Sequence, residues 1–230
     1  MLSELATIPA LLGLGDVAVV STADVPAVPS ACLYGFALPA GSSPLDDRPL
    51  VALNMASIEA DALPGRVGAC TRSVLIHELG HVAAVKPVEW SPIDREFIGA
   101  DMPAFRSRLL AKSANIPEPP IDAPDAHHGA RFLRATLHVY GRAQQLGIEA
   151  VLSEIVGAVG NGWLSPEVDY LRVLQGEIHA MRGESFATIL ATPPPEAFSE
   201  LWQADVALYH RNEQARCDYL RERQERLAKC

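Results

Sequence analysis

Residues 73–85 read SVLIHELGHVAAV. Two histidines and a glutamate, His77, Glu78 and His81, interrupt a run that otherwise suits a buried helix. Val67, Cys70, Val74, His77 and His81 recur at three- and four-residue steps, which predicts a helix over 66–85. Lys86-Pro87 ends it, because proline cannot continue the hydrogen-bond ladder. Asp61 to Gly65 supplies the turn before it, and Gly80 predicts a close approach by another backbone.

Histidines at i and i+4 stand one above the other on a helix, so their nitrogens can converge on one ion at about 2.0–2.1 Å each. Glu78 then sits beside the ion rather than on it, placed to take a proton from a metal-activated water. That is the HExxH arrangement of zinc peptidases. The metal-free alternative is a pair of hydrogen-bonded core histidines. It would leave three adjacent buried polar side chains in need of other partners.

Outward from this helix the chain divides in two. Residues 1–60 read as mainly extended, with short apolar runs at 16–20, 31–38 and 49–56 bounded by Pro, Gly, Ser and Asp. Downstream, the Pro-rich stretch 86–126 contains one candidate helix near 101–112 and an irregular segment at 115–126. Helical patterns follow at about 128–146, 148–158, 166–182 and 196–229, with TPPP at 192–195 as a hard break. Strands, then a motif helix, then helices argue for an α+β fold with a small N-terminal antiparallel or mixed sheet and a mostly helical C-terminal half. The domain reading is 1–191 as the catalytic unit and 192–230 as a helical extension.

Composition sets the outer limits. The chain has 230 residues, 49% hydrophobic and 20% charged, enough to bury a core without staples. A net charge of −9 gives no basic footprint for nucleic acid. Cys32, Cys70, Cys217 and Cys230 form no CxxC pair and no disulfide pattern, which points to reduced thiols. The N-terminal apolar run lacks a basic leader and is broken by Glu4 and Asp16, and no stretch suits a membrane span. The expected location is cytoplasmic.

A catalytic zinc commonly takes three protein ligands and keeps one open position. The metzincin extension fails here, with Ala84 in place of its glycine and Pro87 in place of its third histidine. The downstream donors are Asp94, Glu96, Asp101, Asp122, Asp125, His127, His128, His138 and Glu154. The pattern formed by His77, Glu78 and His81 and then His128-Gly129-Ala130-Arg131-Phe132 resembles the SprT-like (Spartan-type) zinc metalloproteases, members of the zincin superfamily. The strand RPLVALNMAS, 48–57, is similar to that family's short strand at the lip of the cleft. The resemblance implies a zincin-like fold with His128 as third ligand, one catalytic zinc, and a peptide held against strand 49–56 by β-augmentation. It makes 86–126 an insertion, and the absence of CxxC removes the family's zinc ribbon. From the residues alone, Gly129 gives the chain freedom to turn into the next helix and Phe132 falls where it can pack under the site, while Glu154, Asp125 and Asp94 stay open as acidic third ligands.

His138 and Tyr140 on the same helix are candidate oxyanion stabilisers, against a plain role as core and surface residues. No nucleophile elbow or catalytic cysteine context accompanies them. The expected function is a zinc-dependent endopeptidase with Glu78 as general base, acting on a protein or peptide substrate. The alternative is a zinc-binding regulatory or interaction module with little general proteolysis. Leu208, Cys217, Leu220 and Leu227 on the last helix are the candidate surface for a homo-oligomer.

Overall fold

The computed structural model describes residues 2–25, 34–41, 45, 47–84, 128–160 and 165–228. The chain is α+β, with a small mixed sheet and mostly helical content. Three strands, β1 (Ala18–Ser21), β2 (Gly35–Leu38) and β3 (Leu50–Leu53), lie in the order β1-β3-β2. β1 runs parallel to β3, with Ala18 opposite Leu50, and β2 runs antiparallel to it, with Gly35 opposite Leu53. Leu50, Val51, Ala52 and Leu53 are all fully buried, as a central strand covered on both faces requires. Val51 and Leu53 face the main core, whereas Leu50 and Ala52 face a smaller cluster with Ala18 and Val25.

Two expectations about the N-terminal part change. Strand 49–56 stops at Leu53, because the Asn54 side chain accepts from the Ser57 amide at 3.2 Å and opens helix α3 (Met55–Asp61). Residues 2–11 form two one-turn helices, α1 (Leu2–Leu5) and α2 (Ile8–Leu11), instead of extended chain. Leu5, Ile8 and Leu12 enter the core from them, and this three- and four-residue spacing was the signal for helix.

The helical part follows the sequence pattern closely. It comprises α4 (Val67–Ala84), α5 (Ala130–Gln145), α6 (Leu152–Gly160), α7 (Glu167–Ala180), α8 (Phe186–Ala191) and α9 (Glu196–Ala228). The short α8 was not expected from the sequence. It is capped by Ser185, whose hydroxyl accepts from the Thr188 amide at 3.1 Å, and buries Phe186 and Ile189. α4 and α5 form the centre. α4 buries Leu75, Ile76 and Leu79 completely, and α5 does the same with Leu133, Ala135, Leu137 and Val139. A Cβ on Gly80 would lie 2.0 Å from Thr136 Oγ1, so only glycine allows the two helices to come this close.

α9 joins the core through its first turns, with Phe198 and Trp202 buried and Asp205 accepting from the Tyr170 hydroxyl at 2.7 Å. Its later turns are exposed and carry local pairs such as Arg216 with Glu213. Among the described residues, no helix is long and apolar enough to cross a membrane. The expected helix at 101–112 and the rest of 86–126 lie outside the described residues.

Candidate metal centre

The helix that carries HELGH is buried along most of its length, and its two histidines lie on the side that meets the start of α5. His128 precedes α5, with Gly129 at the N-cap position. One nitrogen from each of His77, His81 and His128 falls within 4.8 Å of the others. The three ring centroids are 5.1 Å (77 to 81), 5.4 Å (77 to 128) and 5.0 Å (81 to 128) apart. Three histidines, 77, 81 and 128, therefore lie close enough to bind one metal ion.

Phe132 forms the floor, as its spacing from His128 suggested. Its ring stacks on His81 at 4.1 Å and meets His77 and His128 edge-on at 5.1 and 4.9 Å. An apolar floor excludes water from beneath the imidazoles and limits ring rotation. His77 is further fixed by its far nitrogen, since Nδ1 lies 2.7 Å from the backbone carbonyl oxygen of Ile155 on α6. A carbonyl can only accept, so Nδ1 carries the proton and Nε2 keeps a lone pair for a metal.

Glu78 is buried at 7% exposure, and desolvation pushes its carboxyl pKa from 4.5 up to about 8. β2 is the cause on one side, because a Cβ on Gly35 would lie 3.2 Å from Glu78 Cγ and 3.1 Å from Val74 Cγ1. A cation held by the neighbouring histidines would reverse the effect and favour the carboxylate. The donor set suits such an ion. Three neutral imidazoles match zinc and related borderline metals, and three protein ligands leave a fourth position for water or substrate.

The other candidate residues sit elsewhere. His138 Nε2 is 2.7 Å from Glu177 Oε1, and the Tyr140 hydroxyl accepts from Gln144 Nε2 at 2.9 Å. At 1.5 Å per residue they lie roughly 12 and 15 Å along α5 from its first residue, which fits the plain core role that stood against oxyanion stabilisation for both. Glu154 accepts from the Cys70 thiol at 3.5 Å and is not one of the clustered donors. Asp94, Glu96, Asp101, Asp122, Asp125 and His127 fall outside the described residues. β3 has both edges occupied, by β1 and β2, so strand 49–56 cannot take a substrate strand as expected. The sheet edge nearest Glu78 is that of β2.

Sequence reasoning missed the Ile155 carbonyl and Gly35. Neither carries a local signature, because a backbone acceptor can come from any residue and Gly35 matters only for what crosses above it. The fold and site together define an α+β protein with three clustered histidines, two on α4 and one just before α5. Comparison of the chain with protein families, with curated proteins and with solved structures gives no match.

Proposed function

We propose that the protein is a zinc-dependent metallopeptidase of the zincin type, with His77, His81 and His128 as the zinc ligands and Glu78 as general base. The observation that carries this reading is the convergence of three imidazoles beside one buried carboxyl group. Zinc, when bound, supplies a Lewis acid that activates water near neutral pH and polarises a carbonyl. Glu78 accepts the proton of the attacking water and delivers it to the leaving nitrogen, one group serving as base and then acid. The substrate is an extended protein or peptide segment, paired with the outer edge of β2 rather than with β3. The SprT-like resemblance and the catalytic role of a single zinc belong to this proposal.

The test is Glu78→Gln, assayed with unfolded casein with and without chelator. The expected variant keeps about one zinc per chain and loses roughly 10²- to 10⁴-fold in cleavage rate, the scale of general-base catalysis. Cleavage at the wild-type rate would remove Glu78 from the mechanism. Zinc-loaded wild type that is inert towards casein and towards itself would favour the interaction-module alternative.

A further inference from the structure

We propose that residues 149–155 clamp His77 in its metal-binding orientation, and that Ser73 is the positioning residue of this clamp. The inference rests on the metal-site reading, since it assigns a function to the contacts behind one ligand. Ser73 lies one helical turn before His77 on α4 and is fully buried. Its hydroxyl donates to the Ala69 carbonyl at 2.9 Å and accepts from the Val151 amide, also at 2.9 Å. Val151 sits at the start of α6, where amides have no intrahelical acceptor, so Ser73 satisfies a group the helix cannot.

Four residues further on along both segments, His77 Nδ1 meets the Ile155 carbonyl. The contacts 73 to 151 and 77 to 155 share the same sequence offset of 78. Two polar contacts at matched one-turn spacing fix how far α6 can slide along α4. That register aims the Ile155 carbonyl at the imidazole. Arg72 adds an outer tie, its Nε donating to the Glu149 carbonyl at 2.6 Å and its Nη2 lying 3.3 Å from the Glu149 carboxylate. Without the Ser73 hydroxyl the Val151 amide loses its acceptor. The first turn of α6 then moves towards solvent, and the imidazole is released to its other tautomer and to free rotation.

The experiment compares Ser73→Ala with Thr71→Val. Thr71 is an equally buried hydroxyl on the same helix, but among the described residues it bonds only its own helix, donating to the Val67 carbonyl at 2.7 Å. The readouts are zinc affinity by chelator competition and the ring ¹⁵N shifts of His77 in zinc-free protein. Ser73→Ala is expected to weaken zinc binding by at least about 10-fold, the lower end for loss of an outer-shell partner, and to move His77 away from the Nδ1–H tautomer. Thr71→Val is expected to keep both. Arg72→Met, a partly exposed site that folding tolerates more readily, is expected to give a smaller loss in the same direction, and it decides the matter if Ser73→Ala does not fold. Wild-type zinc affinity in the clamp variants, an equal loss in Thr71→Val, or retention of the Nδ1–H tautomer would each overturn the clamp. If the wild type takes up no zinc, the metal reading fails by itself and the His77 tautomer alone decides the clamp.

Discussion

The start of α5 and its middle each hold a histidine-containing polar cluster, the first half-buried and the second buried, and the two differ in how their charges are settled. At the start, three imidazole nitrogens face one another with the buried Glu78 carboxyl nearby, and burial pushes the pKa of that carboxyl up to about 8. Further along, His138 and Arg134 both turn to Glu177. Arg134 Nε donates to Glu177 Oε1 at 2.9 Å, Arg134 Nη1 donates to the Thr192 carbonyl at 2.7 Å, and His138 shares the same carboxylate oxygen. Desolvation lowers the His138 pKa below its ordinary value, against the opposing pull of Glu177. The second cluster contains its own cation and anion. The first brings three imidazoles close enough to bind one metal ion. One arrangement holds α5, α7 and the end of α8 together, and the other is the ion site of the proposed function.

The largest expected effect that separates the two is on metal. His128→Ala is expected to lower zinc affinity by more than about 100-fold, beyond the outer-shell scale, and His138→Ala to leave it within a few-fold. Elemental analysis of the two variants prepared side by side checks this, and zinc loss in His138→Ala alone would invert the assignment. The next effect is on stability. Glu177→Ala strands a buried arginine and is expected to cost about 3–5 kcal/mol in chemical denaturation, with the zinc content of the folded fraction unchanged. A loss below about 1 kcal/mol, the range of an exposed pair, would mean that Arg134 finds another partner.

The third expected effect concerns pH. The Glu78 carboxyl is raised from 4.5 to about 8 in the folded chain, so its contribution to stability is full below the unfolded value and is lost as pH rises through about 8. In chelated protein, the stability of Glu78→Gln relative to wild type is therefore expected to rise by a few kcal/mol between pH 4.5 and pH 8.5. Added zinc should flatten that difference, since a bound cation favours the carboxylate in the folded state. A pH-independent difference in chelated protein would show that the Glu78 carboxyl is already solvated.

Much of this arrangement follows from local sequence. HELGH sets two imidazoles and a carboxyl group on one turn because the helical period is fixed, and the apolar residues around them require that helix to be buried. The helices at 130–145, 167–180 and 196–228 were predictable for the same reason, since each carries its apolar face at three- and four-residue steps. His128 was marked by HHGARF through resemblance to SprT-like proteases, while its own spacing left carboxylates such as Glu154 open.

Folding in three dimensions decided the rest. It placed β3 in the middle of the sheet and β2 over Glu78, because strand order depends on which apolar faces find each other and not on any single strand's residues. It gave His138 to Glu177, a partner 39 residues away that no local pattern links to it. It set the Ile155 carbonyl behind His77 across 78 residues of chain, through a backbone group that every residue possesses. Periodicity within one helix is fixed by covalent geometry and can be read along the chain. The partners of a buried polar group depend on how separate elements pack, and that is settled only when they meet.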